Sequence, residues 1–365
     1  MTGRETRVSP QRPAVPQDGT GSAIGHLVIR ADASEQIGAG HLMRCIALGQ
    51  AWHDHGGRVT VISHCRHPAL RKRVADEGFE WVPPRAAHPH PEDLETTLSV
   101  LDRLGHPWLA LDGYHFDGGY QTAVRKAGHR LLVIDDTHHL PAYHADIVLN
   151  QNIYAPSMVY QCDADTEILL GCQYVMLRRE FVDHPRSRQL APETARRILV
   201  TLGGADPEND TLRVVRALKR MDAPQMEARI IVGPANPYVR HLFEATQDVD
   251  FSVDIIQNPD NMPTLMAWAD MAISAAGGTC WELAFLGVPN LMLVIADNQR
   301  KAAEILAKQG AAIVLDRRMS MASLADTISE TYHNKQLRTE MTLNSQKLVD
   351  GGGRDAVVRR LMTPR

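Results

Sequence analysis

Two glycines and a histidine lie at the start of a predicted helix, where they could bind and act on a small ligand. Gly38, Gly40 and His41 follow the apolar run at residues 27–29, and the apolar spacing after them predicts a helix. A strand, a glycine turn and a helix in this order place free backbone N–H groups at the carboxyl edge of a sheet. His41 can gain or lose a proton near neutral pH, which favours general acid–base chemistry. The alternative is a glycine turn whose histidine merely caps the helix.

A second glycine-rich turn lies between a predicted strand and a predicted helix. Its sequence is Ser274-Ala275-Ala276-Gly277-Gly278-Thr279-Cys280-Trp281-Glu282. Gly277 and Gly278 would let the backbone approach a ligand closely, and the helix-start N–H groups with the Thr279 hydroxyl suit a phosphate or diphosphate. Glu282 could accept hydrogen bonds from the two hydroxyls of a ribose. The alternative is a capping box between Thr279 and Glu282 that binds no ligand.

Two further segments place candidate ligand contacts at the same edge of the second sheet. Gly203 and Gly204 follow another predicted strand, and Asn298 and Gln299 precede a predicted helix. Neither glycine turn is a P-loop or has the GxGxxG spacing. A nucleotide-sugar site of this kind needs no metal, because helix-end N–H groups can hold the charge of a diphosphate. The sugar would then extend toward His41.

Polar side chains also follow the predicted strands in the first half of the chain. They are Asp32, Asp112, Tyr114, Asp135, Asp136, Asn150, Gln151 and Asn152. Ligands of open α/β sheets bind at the edge formed by the carboxyl ends of the strands. A single aspartate after a strand is more often a helix cap or a turn residue. Several such residues at one edge, together with His41, favour a binding site.

Short apolar runs alternate with helical patterns along the chain, which indicates parallel strands covered on both faces. The predicted strands are residues 27–29, 58–63, 108–112, 131–134, 147–149, 198–202, 229–232, 271–273, 290–294 and 312–315. The fold class is therefore α/β, with two doubly wound Rossmann-like domains facing a central cleft.

The same patterns predict the domain boundaries. Residues 1–25 are a disordered extension rich in Pro, Gly, Ser and Arg, and residues 26–183 form the domain that carries His41. Residues 184–195 are a polar, proline-marked linker, and residues 196–318 form the nucleotide-binding domain. Residues 319–365 are helical, with a break at Gly351-Gly352-Gly353.

Composition excludes several classes of function. The 365 residues carry a net charge of −4, which disfavours a nucleic-acid binder that relies on a basic field. No stretch approaches the ~18 consecutive apolar residues of a membrane span, so we expect no stable membrane insertion. Five scattered cysteines without a CxxC pair indicate reduced thiols in the cytoplasm. The oligomeric state stays open.

We also expect neither a metal nor a cofactor. The chain has 17 histidines, but most are isolated or spaced so that they would diverge. Only His138, His139 and His144, in a loop after a predicted strand, form a cluster that is worth testing as a metal site.

Taken as an ordered set, these motifs resemble a known enzyme family. The matching blocks are Arg30-Ala31-Asp32-Ala33-Ser34, residues 37–44, Val133-Ile134-Asp135-Asp136, Gln151-Asn152, residues 202–207, residues 277–282, Leu286-Gly287-Val288-Pro289 and Asn298-Gln299. They resemble the UDP-2,4-diacetamido-2,4,6-trideoxy-β-L-altropyranose hydrolases of pseudaminic acid biosynthesis. That family is related to spore-coat polysaccharide biosynthesis proteins and to the transferase that makes the lipid-linked peptidoglycan precursor. The resemblance covers about residues 27–310.

The resemblance implies a GT-B fold in which the C-terminal domain binds the nucleotide and the tail helices pack back across the cleft. It places the family's essential histidine on His41, which would activate water for attack at the anomeric carbon. UDP would leave with inversion of configuration and without a metal. The implied sugar-side residues are Asp32, Gly40, Arg44, Tyr114, Asp136 and Asn152. The implied nucleotide-side residues are Gly203, Gly204, Gly277, Gly278, Thr279, Glu282, Asn298 and Gln299.

The chain departs from the family pattern at two places. The family's Asp-His-Tyr is here Asp112-Gly113-Tyr114, and its Asp-Gln-Asn is Asn150-Gln151-Asn152. Both differences lie on the predicted sugar side, so the identity of the sugar stays open. Arg44 is a candidate diphosphate partner; the alternative is an exposed helix arginine.

Three functions remain in competition. The first is a metal-independent nucleotide-sugar hydrolase, and the second is a GT-B glycosyltransferase with an acceptor hydroxyl in place of water. A transferase that works at membranes needs an exposed docking patch, for which the basic helix at residues 68–77 is the only candidate; a solvated helix face explains it equally well. The third is a nucleotide-sugar sensor without catalysis. A hydrolase acting on a different nucleotide conjugate in secondary metabolism is a variant of the first.

Overall fold

The computed structural model describes residues 24–34, 37–186, 191–204, 206–233 and 236–363. Parts of three predicted segments lie outside the described residues: residues 1–23 of the extension, residues 187–190 of the linker and residues 364–365 of the helical tail. Ala205, in the block at residues 202–207, also lies outside them.

The first half of the chain forms a parallel seven-stranded sheet with the order β3-β2-β1-β4-β5-β6-β7. The strands are β1 (His26–Ala31), β2 (Arg58–Ile62), β3 (Glu80–Val82), β4 (Trp108–Asp112), β5 (Arg130–Ile134), β6 (Ile147–Asn150) and β7 (Glu167–Leu170). The helices are α1 (Gly40–Asp54), α2 (Pro68–Asp76), α3 (Pro91–Arg103), α4 (Gly118–Lys126) and, after the sheet, α5 (Arg179–Val182). Central strands such as β1 and β4 are buried because helices cover both faces.

The second half repeats this architecture with a parallel six-stranded sheet of order β10-β9-β8-β11-β12-β13. Its strands are β8 (Arg197–Thr201), β9 (Glu227–Val232), β10 (Ser252–Gln257), β11 (Met271–Ala275), β12 (Asn290–Leu293) and β13 (Ile313–Leu315). Its helices are α6 (Asp210–Leu218), α7 (Val239–Ala245), α8 (Met262–Trp268), α9 (Thr279–Leu286) and α10 (Asp297–Lys308). The predicted pair of doubly wound sheets is confirmed.

Both sheets reverse their strand order at one place. In the first sheet the reversal lies between β1 and β4, and in the second it lies between β8 and β11. The loops that leave neighbouring strands in opposite directions open a crevice at such a point, where ligands of these folds bind. His41, Tyr114 and the two predicted glycine turns of the second domain follow these four strands. Asp136, Asn152 and the pair Asn298-Gln299 follow β5, β6 and β12.

Three helices complete the chain: α11 (Met321–His333), α12 (Lys335–Leu348) and α13 (Gly353–Met362). The last one returns to the first domain. Val357, Val358 and Leu361 are buried in the same apolar cluster as residues of α1 and β1. The indole N–H of Trp108 also donates to the carbonyl of Leu361 at 2.8 Å. The tail therefore links the two halves of the molecule.

The sequence patterns do not predict five of these elements: β3, β7, β10, α5 and α7. The three strands are all at an edge of a sheet. An edge strand has only one neighbouring strand and is partly exposed to solvent. It therefore lacks the continuous apolar run that marks a central strand. Among the described residues, no helix is long and apolar enough to span a membrane.

Candidate active site

The imidazole of His41 is held by the carboxylate of Asp112. His41 is the second residue of α1, which follows β1, and Asp112 is the last residue of β4. Because β1 and β4 are neighbours in register, with Ala31 opposite Asp112, the two loops meet at the point of strand reversal. His41 Nδ1 lies 2.6 Å from Asp112 Oδ1, and His41 is 8% exposed.

This contact determines which imidazole nitrogen faces the cleft as a base. Burial raises the pKa of Asp112, but the charges and hydrogen bonds of Arg44 and His41 outweigh it and hold that pKa well below its usual range. The ionised carboxylate can only accept, so the contact places the proton of the neutral imidazole on Nδ1 and the lone pair on Nε2. Arg44 Nη2 also lies 3.1 Å from Nδ1, and it donates to the same Asp112 oxygen. Within the described part of the chain, no side chain hydrogen-bonds to Nε2. His41 is therefore oriented to accept a proton at Nε2.

Arg44 lies between two carboxylates at the floor of the site. Its Nε and Nη2 donate to Asp112 at 2.5 and 2.6 Å, and its Nη1 donates to Asp136 at 2.5 Å. The side chain is 11% exposed. These contacts explain why Arg44 is not the exposed helix arginine of the alternative interpretation. Its role as a diphosphate partner stays a prediction, because the guanidinium faces the carboxylates in this structure.

Tyr114 and Asp136 extend this network to the mouth of the cleft. The Tyr114 hydroxyl donates to Asp136 at 2.5 Å, and the Tyr114 ring contacts His41 edge-on with centroids 4.7 Å apart. Asn152 donates to the backbone carbonyl of Asp136 at 3.1 Å. Gly40 starts α1, and a Cβ there would meet nothing within 4 Å, so backbone faces open space beside His41.

The second domain contacts this network directly. The Asn298 amide donates to the Tyr114 hydroxyl at 3.4 Å, and the Lys301 ammonium lies 4.7 Å from the centre of the Tyr154 ring. Both contacts come from the first turns of α10. The predicted nucleotide side and the predicted sugar side therefore face each other across one cleft.

Asp32 belongs to a neighbouring buried network. Arg30 donates to both of its oxygens, the backbone N–H of His64 donates at 2.6 Å, and His115 Nε2 lies at 3.0 Å. Arg30 also pairs with the buried Asp93. With both oxygens occupied, Asp32 shapes the wall of the site, and its contact with a sugar stays a prediction.

The glycine turns of the second domain meet at its point of strand reversal. Gly203 and Gly204 follow β8, and Gly277 and Gly278 follow the adjacent β11. A Cβ at Gly203, Gly204 or Gly278 would meet nothing within 4 Å. Gly203 has φ +93°, a conformation that favours glycine. Backbone is thus exposed where a ligand could approach it closely.

The first turn of α9 has no side-chain cap. Gly278 is the N-cap residue, and Thr279 is already the first helical residue. The capping-box alternative is wrong, because Glu282 turns away from the helix start. Its Oε1 accepts from Arg178 at 2.9 Å, and Arg178 also pairs with Glu180. The N–H groups at this helix start therefore have no competing side chain.

Gln299 supports the second glycine turn from α10. Its Oε1 accepts from the backbone N–H of Ile295 at 3.1 Å. Its Nε2 would lie 3.6 Å from a Cβ at Gly277. The amide is therefore placed beside the turn, as the nucleotide-site prediction requires.

Two other sequence hypotheses receive no support. His139 faces Asp135, His144 faces Asp163 at 2.9 Å, and His138 packs against Tyr160. In the described ranges, His138, His139 and His144 do not converge on one point. The metal hypothesis for this cluster is therefore wrong.

The basic helix α2 is also occupied by internal contacts. Arg71 packs over Trp81, Lys72 pairs with Asp76 at 2.6 Å, and Arg73 pairs with Glu180 at 2.9 Å. Two of the three cations of this helix are therefore paired with carboxylates, and the third packs on an aromatic ring. The solvated-face interpretation fits better.

Sequence reasoning missed the importance of Asp112, Arg178 and Lys301. The sequence places Asp112 directly after a predicted strand, but no local motif marks it as a site residue. The strand order of a doubly wound sheet could have identified Asp112, because it places the ends of β1 and β4 side by side. Arg178 and Lys301 act across domains, so no local pattern identifies them.

Comparison with known proteins agrees with this architecture. Residues 197–352 match the Glycosyltransferase family 28 C-terminal domain. The chain is 28% identical to the spore coat polysaccharide biosynthesis protein SpsG of Bacillus subtilis, covering 90% of this chain and 95% of that protein. It is 23% identical to the UDP-2,4-diacetamido-2,4,6-trideoxy-beta-L-altropyranose hydrolase of Campylobacter jejuni, covering 78% and 97%.

Two further matches are a longer relative and a solved structure. The chain is 24% identical to the uncharacterized protein MJ1062 of Methanocaldococcus jannaschii over 75% of its length, and it spans only 57% of that relative. The solved structure of the spinosyn rhamnosyltransferase SpnG complexed with thymidine diphosphate has a TM-score of 0.65 at 18% identity, covering 93% of this chain and all (100%) of that one. The fold is that of the GT-B glycosyltransferases.

Proposed function

We propose that the protein hydrolyses a nucleotide-linked sugar at its anomeric carbon and releases UDP or a related nucleoside diphosphate. A water oxygen attacks the anomeric carbon while His41 Nε2 takes a proton from that water. The bond between the anomeric carbon and the diphosphate oxygen breaks, and its electron pair leaves with the nucleotide. Attack opposite the leaving group inverts the configuration at carbon.

The observation that carries this proposal is the His41–Asp112 pair at the cleft. An ionised carboxylate that fixes Nδ1–H leaves Nε2 as the basic nitrogen and stabilises the imidazolium formed on proton transfer. The Campylobacter jejuni relative, named as a hydrolase of a UDP-linked sugar, supports water as the nucleophile. The residues at the edge of the second sheet need no metal to hold a diphosphate, since uncapped helix N–H groups can do so.

The nucleotide is assigned to the second domain. Its uncapped α9 start and exposed glycine backbone fit a diphosphate, and the SpnG structure is a complex with thymidine diphosphate. Glu282 would accept from the ribose hydroxyls through the oxygen that Arg178 leaves unused. The five unpaired cysteines fit a reducing compartment such as the cytoplasm.

A glycosyltransferase is the second candidate. The match of residues 197–352 to a glycosyltransferase domain favours it, because that domain would bind the same donor. Chemistry at the anomeric carbon would be unchanged, with an acceptor hydroxyl in place of water.

The test is incubation with UDP- and CDP-linked sugars in ¹⁸O-labelled water without an acceptor, followed by mass spectrometry. Label in the free sugar, with none in the nucleoside diphosphate, would support hydrolysis at the anomeric carbon. Label in the phosphate would overturn the mechanism. Turnover that appears only when an acceptor is added would favour the transferase.

His41→Ala separates an enzyme from a sensor. Loss of the base should lower kcat by about 10²–10⁴-fold while UDP affinity stays within about twofold. His55→Ala is a matched control, since His55 ends the same helix far from the cleft. Equal turnover in wild type and His41→Ala would remove His41 from the mechanism.

A further inference from the structure

Three potential metal ligands converge at the opposite edge of the first sheet. His106 precedes β4, His129 precedes β5, and Asp102 lies in the last turn of α3. Since β4 and β5 are adjacent, with Trp108 opposite Arg130, the segments that enter these strands are brought together. One ligand atom from each of the three residues lies within 4.8 Å of the other two.

The geometry of the side chains fits a shared ion. His106 Nδ1 lies 3.1 Å from His129 Nδ1, and His129 Nε2 lies 3.2 Å from Asp102 Oδ1. A single ion can take only one of the two His129 nitrogens, because Nδ1 and Nε2 point to different sides of the ring. With His129 Nε2 as the ligand atom, Asp102 Oδ1 lies at a separation that two ligands of one zinc ion can have, at the ~2.0–2.2 Å typical of zinc. The His129 side chain is fully buried (0% exposed), and its Nε2 has no hydrogen bond of good geometry. Buried polar atoms without such a bond are uncommon in folded proteins, so a bound ion would explain this nitrogen.

The positively charged side chains around the cluster pair with carboxylates outside it. Arg103 pairs with Glu80 at 3.4 Å, and Arg125 pairs with Asp146 and Asp165. Within the described ranges, the only ion pair of Asp102 is the one with His129. Nearby cations therefore do not occupy the carboxylate.

We propose that Asp102, His106 and His129 form a binding site for a divalent transition metal, with Zn²⁺ as the preferred ion. Imidazole and carboxylate are ligands that zinc favours, and water would complete a tetrahedral set. The cluster is separated from His41 by the length of β4, ~16 Å for five residues. The metal would connect the end of α3 to the entries of β4 and β5, so its role is to stabilise the fold.

The test uses the full chain after removal of metals, titrated with ZnCl₂ by calorimetry and followed by thermal unfolding. We expect one saturable site and a rise in Tm of the wild type with Zn²⁺. His106→Gln and Asp102→Asn should each weaken the affinity by more than the ~10-fold that loss of a second-shell partner costs. Both positions are exposed, so the variants should fold, which circular dichroism checks.

His144→Gln is the matched control, because His144 is an exposed histidine that pairs with a single aspartate at 2.9 Å. Retention of zinc binding in this variant and its loss in the other two would support the site. Cobalt substitution gives a second readout, since a visible spectrum of tetrahedral Co²⁺ should disappear with His106→Gln. No saturable binding below about 100 μM, or unchanged binding in both site variants, would overturn the proposal.

Discussion

At the scale of single residues, the chemistry depends on a carboxylate that is 71 positions away from the histidine it orients. Asp112 accepts hydrogen bonds from both His41 and Arg44, and Arg44 also donates to Asp136. One arginine thereby pairs with two carboxylates in a small volume, and its charge lowers the pKa of Asp112. The proton acceptor of the proposed reaction is set by this network.

Asp112→Asn should abolish the orientation of His41 while keeping the shape of the side chain. The amide cannot stabilise the imidazolium and can present a donor to Nδ1, so we expect kcat to fall by about 10²–10⁴-fold. KM for the nucleotide sugar should change little, because the nucleotide contacts lie in the other domain. Steady-state kinetics measure both.

The control for this variant is Asp136→Asn. Asp136 contacts Arg44 and Tyr114 but not His41. A much smaller fall in kcat is expected. Equal losses in the two variants would mean that the whole cluster acts as a structural unit.

The ionised carboxylate of Asp135 makes a separate contribution, which is to the stability of the fold. Burial raises its pKa, but hydrogen bonds from His139, Tyr143 and the backbone of Thr137 outweigh it and lower the pKa from 3.8 to about 2. A lowered carboxyl pKa stabilises the fold above pH 3.8, and this stabilisation is lost as pH falls through about 2. The difference corresponds to about 2 kcal/mol.

Asp135→Asn should therefore lower the free energy of unfolding by about 2 kcal/mol at pH 7. The gap between wild type and variant should close as the pH falls below 4 toward 2. Urea unfolding at several pH values measures it. A gap that is constant across this range would show that packing, rather than ionisation, accounts for the effect.

At the scale of elements, the site is made where strands end and helices begin. The helix start at α9 is uncapped, and the glycines before it leave backbone exposed. This combination lowers stability slightly, since a capping side chain in place of Gly278 would contribute a few tenths of a kcal/mol. A bound diphosphate would take the place of the cap.

Gly278→Ala tests this point. Gly278 has φ −54°, and a Cβ there would meet nothing within 4 Å, so alanine should fold with a loss of less than ~1 kcal/mol. If a diphosphate lies against the turn, the methyl group should raise the Kd for UDP by about tenfold or more. Calorimetry measures the Kd.

Gly118→Ala provides the comparison for this substitution. Gly118 also starts a helix, α4, and its Cβ would make only ordinary contacts, the nearest at 3.7 Å. It should change neither stability nor UDP affinity appreciably. Unchanged UDP affinity in Gly278→Ala would place the diphosphate elsewhere.

At the scale of the whole molecule, the end of the chain holds the two domains together. Helix α13 belongs to the second half of the sequence but packs in the core of the first domain. Its start is in close backbone contact, since a Cβ at Gly353 would lie 2.3 Å from the carbonyl oxygen of Val175. The relative position of the domains, and so the width of the cleft, depends on this docking.

Leu361→Ala should weaken the docking. Leu361 is 1% exposed, and removal of its side chain from a packed core costs about 2–5 kcal/mol. The neighbouring Met362 is 42% exposed, so Met362→Ala should cost less than about 0.5 kcal/mol. Urea unfolding compares the two. Similar costs would show that α13 is not firmly packed.

The sequence by itself determined the fold class and predicted the segments of the candidate site. Continuous apolar runs between helical patterns require parallel strands with both faces covered, and parallel strands place the residues that follow them at one edge. That reasoning located His41, both glycine turns and Asn298. It did not find three of the four edge strands, β3, β7 and β10, whose partial exposure weakens the apolar signal.

Only the tertiary structure decided which of these residues touch. The pairing of His41 with Asp112, of Arg178 with Glu282 and of Asn298 with Tyr114 depends on strand order and on how the domains face each other. Local sequence records the propensity of each segment and the polarity of its faces. Contacts between residues 71 to 184 positions apart result from packing, which no local pattern contains.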